Sequence, residues 1–269
     1  MNYLLNSRIE AISDIIISIA DIFLSDKKYD PTMLILAFIY FFDVIYFLFL
    51  SFILYKGMLS IGQEEIGVDF SEIWQVAENT YRIEADAVMQ ALCGIDRQSF
   101  LRAIALLSQA PRIAASGCGH SGIACRHFAH LMCCIERPAR FISPAEATHG
   151  ATGYLQKGDV MILASRGGKT SELLPILSIC KQKGVFVITA TENSGSPLAR
   201  EADVVLNTPV TRETDRYNSQ GTTSFTILNV LFDALQAALI EATGFRNEQF
   251  AVIHPGGAVG ERLNTSSRR

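Results

Sequence analysis

Apolar and polar residues fall into two alternating periods over much of the chain, and the switches between them outline an ordered series of elements. From Ser71 to Ile95 the apolar positions Ile73, Val76, Ala77, Tyr81, Ile83, Ala87, Val88 and Leu92 recur at spacings of three and four, which predicts an amphipathic helix. A second helix is predicted from Ser99 to Gln109. The run Val160-Met161-Ile162-Leu163-Ala164 is apolar without interruption, as expected of a strand buried on both faces. It precedes the helical spacing of Leu173, Leu174, Ile176, Leu177 and Ile179. Continued along the chain, the pattern predicts strand 112–116, helix 121–135, strand 139–143, a short helix over 145–149 and strand 159–165. It goes on to helix 170–183, strand 185–190, a short helix over 196–201, strand 203–207 and a last long helix after the polar loop 211–221. Strands alternating with helices require right-handed crossovers and a parallel sheet. The expected architecture is a doubly wound α/β sandwich, with ligands bound at the carboxyl ends of its strands.

Before this series the pattern differs. Residues 1–24 are strongly apolar, and Met33 to Tyr55 carries one charge only, Asp43, a length sufficient to cross a bilayer. The flanking Lys27, Lys28 and Lys56 bias its orientation weakly. The chain is therefore expected to divide near residue 57, into an apolar helical extension over 1–57 and a main domain over 58–269. Three readings of the extension stay open: a membrane anchor or hairpin, a translated stretch upstream of a true start at Met58, and a buried helix pair packed on the domain. The expected location is cytoplasmic, with inner-membrane anchoring through 33–55 if that segment is expressed.

Composition narrows the partners. With 269 residues, 49% of them hydrophobic and 19% charged, the chain has enough apolar mass for a full core. A formal net charge of -4 gives no basic footprint for nucleic acid. The 6 cysteines lie mostly in apolar periodic segments without a disulfide spacing framework, which favours reduced thiols.

The candidate chemistry sits where strands are expected to end. Gly117-Cys118-Gly119-His120-Ser121 follows the apolar stretch Ile113-Ala114-Ala115, and Ser165-Arg166-Gly167-Gly168-Lys169-Thr170 follows the 160–164 strand. Glycines allow tight bends and close approach to a ligand, and the first free N–H groups of a following helix attract anions. A single turn of this kind is a weak signal. Two of them, with hydroxyls on Ser165 and Thr170 and a charge on Lys169, point to one bound phosphate.

Taken together, GCGHS, SRGGKT, Ser143–Gly150 (SPAEATHG), Thr211-Arg212-Glu213 with Thr222-Thr223-Ser224, and Ala251–Gly260 (AVIHPGGAVG) resemble the sugar isomerase (SIS) domain, and within it the arabinose-5-phosphate isomerases. The resemblance covers roughly residues 70 to 265. HPGGAVG beside PAEATHG is its most specific part. Larger relatives carry a pair of CBS domains after the SIS domain, and this chain ends before any could begin, so it resembles the single-domain form.

The resemblance implies an aldose-ketose isomerase that interconverts D-arabinose 5-phosphate and D-ribulose 5-phosphate through a cis-enediol, without a cofactor. It places the phosphate and substrate contacts at Ser116, Gly117, Gly119, His120 and Ser121, at Ser165, Gly168, Lys169 and Thr170, and at Thr222, Thr223 and Ser224. Glu213 stands where the family has its glutamate and is expected to be the enediol base. His149 is expected to serve ring opening or proton transfer to oxygen, and His254 to reach the active site of a neighbouring subunit. A homo-oligomer with shared sites is thereby implied, with a small phosphosugar as the substrate.

Three departures change the charge around the substrate: His120 replaces the usual lysine, Gly167-Gly168-Lys169-Thr170 replaces Ser-Gly-Glu-Thr, and Ser143 and Ala151 replace a histidine and an aspartate. They leave an isomerase for another phosphosugar as an alternative. A non-catalytic sugar-phosphate sensor is a further one, disfavoured because no basic or helix-turn-helix segment precedes the domain. His127, His130 and Cys134 share a helix face beside Cys125 and Cys133, a spacing that suits zinc, but a helix following a phosphate loop normally packs on the sheet and cysteine is a frequent core residue. No metal is expected.

Overall fold

The computed structural model describes residues 45–47, 49–54 and 69–266. The chain separates into two compact units, Met1–Trp74 and Gln75–Arg269. In the first, a short apolar helix is described at Ile45–Leu54; most of the expected membrane stretch over 33–55 lies outside the described residues. The boundary expected near residue 57 lies outside them too.

Helix α1 (Phe70–Gly94) is followed by α2 (Arg97–Gln109), whose first turn is capped by Asp96 accepting the Ser99 backbone N–H at 2.7 Å. Then come β1 (Ile113–Gly117), α3 (Gly119–Cys133), β2 (Ala139–Phe141), α4 (Pro144–Ala147), a 3-10 turn at Ala151–Tyr154, β3 (Val160–Ala164) and α5 (Leu174–Lys183). β4 (Phe186–Thr191), α6 (Pro197–Glu201), β5 (Val204–Asn207) and the long α7 (Thr222–Thr243) complete the sandwich. The tail, to which the sequence pattern assigned no element, forms α8 (Asn247–Ile253) and α9 (Gly257–Ser266), parted at Pro255-Gly256.

The five strands are all parallel, in the order β2-β1-β3-β4-β5, as the alternation of strands and helices predicts. Alternate residues of each strand serve opposite faces. Ile113, Ala115, Val160, Ile162, Ile188 and Leu206 face one core with α2, α3 and α7, in which Phe128 and Phe232 stack with ring centroids 4.7 Å apart. Ala114, Met161, Leu163 and Val187 face a second core with α4, α5 and α6. α7 is apolar and long enough to cross a membrane by length and composition alone, but Leu228, Leu231, Phe232, Leu235 and Leu239 are buried in the first core, which accounts for its hydropathy.

Boundaries differ from the sequence pattern in one informative place. α5 begins at Leu174, four residues later than the pattern places it, because Pro175 lacks an N–H and its ring would clash with the carbonyl four residues earlier. It is tolerated in the first turn, where the structure puts it. The sheet order reverses between β1 and β3, and in an open parallel sheet the crevice beyond the strand ends at that reversal is where ligands sit.

Candidate active site

At the end of β1 the chain turns into α3 almost without a loop. Gly117 is fully packed: a Cβ there would lie 2.9 Å from the Ser121 backbone and 3.0 Å from the Ala164 carbonyl oxygen. One turn on, a Cβ at Gly122 would lie 2.5 Å from the Gly117 carbonyl oxygen. The two glycines let the helix start against the strand end, so the first N–H groups of α3, at Gly119, His120 and Ser121, lack partners within the helix and face outward with its positive dipole end. Ser116 is fully buried, and its hydroxyl has no partner among the described residues.

The second loop is built differently. It does not run straight into a helix, so α5 contributes no N-terminal N–H groups directly after Thr170. Instead the loop folds on itself: the Ser165 hydroxyl accepts the Gly168 N–H at 3.1 Å and shares a hydrogen bond with the Thr170 hydroxyl at 2.8 Å. Gly168 has φ +64° and packs so closely that a Cβ would overlap Ser196 Oγ, while its carbonyl accepts the Leu198 N–H. Lys169 is exposed at the tip.

Between the loops lies a cleft of about 320 Å³, counted with its open mouth, on whose wall stand His120, Ser121, Ser165, Arg166, Ser224 and Phe225. His120 meets Phe225 edge-on at 5.9 Å between ring centroids. Glu213 lies directly behind this wall. It is 1% exposed, so it is no solvated loop charge, and it bonds two residues of the wall: Oε1 accepts from Arg166 Nη1 at 2.7 Å and Oε2 from the Ser224 N–H at 3.2 Å. The Thr222 hydroxyl donates to Oε2 at 3.3 Å. A carboxylate at the N-terminus of α7 is favoured by the helix dipole. Its own loop is held by neighbours, with the Glu213 N–H on Asn218 Oδ1 at 2.6 Å and the Asp215 carboxylate accepting the N–H groups of Tyr217, Ser219 and Gln220. These bonds, that from Gln220 first, hold the Asp215 carboxyl below its ordinary value.

The three residues opening α7 thus divide their tasks: Ser224 stands on the wall, Thr222 holds Glu213, and Thr223, fully buried, turns its hydroxyl to Glu84 of α1 at 3.4 Å. His149 is exposed after α4, its N–H on the Glu146 carbonyl. His254 is exposed at the end of α8, its ring 4.9 Å from that of Phe250. Neither lines the cleft.

Sequence reasoning missed Arg166 and Glu192. Arg166 Nε donates to Glu192 Oε2 at 3.0 Å, and the Arg166 carbonyl accepts both the Glu192 N–H and the Thr191 hydroxyl. The available signal was a lone cation placed between a strand end and two glycines. The His/Cys group on α3 is dispersed: His127 pairs with Asp233 at 3.3 Å, Cys134 with His130 at 3.6 Å, and Cys125 donates to the Ser116 carbonyl at 3.4 Å. Burial pushes the Cys125 thiol up strongly.

The SIS domain family profile matches residues 106–238. The chain is 39% identical over 187 residues to arabinose 5-phosphate isomerase KdsD of Pseudomonas aeruginosa, an alignment covering 70% of this chain and 57% of that protein. Among solved structures, a candidate sugar-phosphate isomerase from Listeria monocytogenes is 37% identical with a TM-score of 0.69, covering 70% of this chain and all of the other. A protein of Escherichia coli CFT073 solved in complex with arabinose 5-phosphate is 29% identical with a TM-score of 0.66, again over 70% of this chain and 100% of that one. The chain therefore spans less than three fifths of the curated relatives it matches.

Proposed function

From the premise that the chain belongs to the SIS domain family, we propose that it is a sugar-phosphate isomerase, interconverting D-arabinose 5-phosphate and D-ribulose 5-phosphate through a cis-enediol. The carrying observation is a buried carboxylate, Glu213, bonded to two residues of a cleft wall whose other side is a helix N-terminus with unpaired N–H groups. In this reading the phosphate rests on the N–H groups of Gly119 to Ser121 and on the hydroxyls of Ser121, Ser165, Thr170 and Ser224, with Lys169 supplying charge. Anchoring the remote phosphate holds the reacting carbons in register.

As the open-chain aldose enters, one Glu213 oxygen gives up its protein donor and takes the proton from C2; the C–H pair becomes the C1–C2 double bond and the carbonyl pair moves onto O1. Return of the proton to C1, with transfer of the O2 proton to O1, gives the ketose. His149 and His254 are the proposed partners for ring opening and proton transfer at oxygen. Both are exposed within one chain, and a homo-oligomer that brings His254 to a neighbour's cleft supplies the missing contact. The names of the relatives support this substrate, and His120 and Lys169 are the residues through which another phosphosugar would be preferred.

The test is incubation of the full chain with arabinose 5-phosphate, with ribulose 5-phosphate measured. Formation of the ketose supports the reading. Phosphosugar-dependent thermal stabilisation without turnover would replace it with a binding protein.

A further inference from the structure

Arg166 holds a position that no phosphate anchor or base accounts for. It rises from the end of β3, lines the cleft, and ties together the ends of three neighbouring strands. Its carbonyl is pinned to the end of β4 by the Glu192 N–H and the Thr191 hydroxyl, its Nε reaches the Glu192 carboxylate at 3.0 Å, and its Nη1 reaches Glu213, in the loop after β5, at 2.7 Å. The guanidinium is planar and carries five N–H donors in a fixed fork. Two of its nitrogens are engaged by carboxylates. Nη2 has no protein acceptor among the described residues, and the side chain is 37% exposed on the cleft wall.

Here the clamp keeps a charged donor on the wall, fixed from two sides, next to the carboxylate proposed to take the proton. Removal of that proton leaves negative charge on the substrate's former carbonyl oxygen, and a preorganised donor at that point strengthens its bond as the charge grows. We propose that Arg166 is a catalytic residue that donates a hydrogen bond from its free guanidinium nitrogen to the oxygen on which the enediolate charge develops, with Glu192 as the positioning residue that holds it there.

The inference rests on the isomerase reading and adds to it the electrophile that the reading lacks. Electrons and protons balance as already written: Arg166 neither gains nor loses a proton, and as the C2–H pair forms the C1–C2 double bond, the displaced carbonyl pair ends on the oxygen it contacts. Lys169, exposed on the same loop, remains free for the phosphate, and His120 lines the wall beside Ser121.

The experiment compares wild type, Arg166→Gln, Arg166→Lys and Glu192→Gln in full-length protein, measuring kcat and KM for arabinose 5-phosphate alongside its thermal stabilisation of each variant. The expected result is a fall in kcat of about 10²- to 10³-fold for Arg166→Gln, with KM and stabilisation close to wild type. Lysine should recover part of the loss, because it keeps the charge without the fork, and Glu192→Gln should fall between lysine and wild type. An unimpaired kcat in Arg166→Gln overturns the role. So does a rise in KM alone, which marks a ground-state phosphate ligand. If Arg166→Gln does not fold, the lysine variant decides, since wild-type kcat in it would show that the fixed guanidinium fork is not needed and would overturn the assignment. A wild type without turnover removes the isomerase reading and this role together, whereas an active wild type beside an unimpaired variant removes this role alone.

Discussion

At the residue scale, the buried carboxylate is the centre of the proposed site. Glu213 is 1% exposed and engaged through both oxygens and its own N–H, so replacing it by glutamine keeps the shape and removes the charge. Glu213→Gln is expected to lower turnover by about 10²- to 10⁴-fold while arabinose 5-phosphate still raises the melting temperature. Unimpaired turnover would remove Glu213 from the chemistry. Much of this was legible in the sequence, where the two glycine loops and the Thr211–Glu213 segment mark the cleft. Arg166 was not, because a side chain between two glycine-rich positions has no period to betray its direction. Thr223 was placed with its neighbours for a similar reason. Three consecutive residues at a helix start point three ways, and only the packed helix separates the wall residue Ser224 from Thr223, whose hydroxyl meets Glu84.

At the element scale, the loop between β5 and α7 owes its shape to Asp215, whose carboxylate gathers three backbone N–H groups. Those bonds hold its carboxyl below the ordinary value of 3.8. With the folded value depressed, the contribution is complete above the unfolded value and is lost as pH falls through the lower folded one. Protection of the Tyr217, Ser219 and Gln220 amides, measured as exchange relative to the unstructured rate at the same pH, should therefore fall on strong acidification, and Asp215→Asn should show the lowered protection already at neutral pH. Equal protection in the variant would show that the loop is held by other means. The position of this loop was readable as a polar stretch between apolar segments, but its internal bonds depend on turn geometry that residue types alone leave open. The late start of α5, by contrast, was readable in Pro175.

At the scale of the whole molecule, the two cores and the proposed sharing of a site between subunits make separate predictions. Phe232 stacks on Phe128 in the first core, and Phe232→Ala should cost about 3–5 kcal/mol, seen as a lower denaturation midpoint. If His254 completes a neighbour's cleft, mixing Glu213→Gln with His254→Ala protein, each inactive, should restore turnover once subunits exchange; inactive mixtures would place both residues in one chain's site. The parallel sheet could be anticipated from alternation, because crossovers leave few topologies, whereas the strand order came only with the structure. The N-terminal stretch could not, since length and apolarity serve a bilayer and a protein core equally well. The second loop has one more consequence. Its backbone is locked by Gly168, where φ is +64° and a side chain would overlap Ser196, and Gly168→Ala should accordingly cost about 1–3 kcal/mol in backbone strain. Held this way, Gly167 and Lys169 are free to vary in chemistry on a fixed frame. A library randomised at these two positions, with Arg166 and Gly168 kept, would sample new sugar preferences at little risk to folding, which makes this loop a ready starting point for evolving specificity.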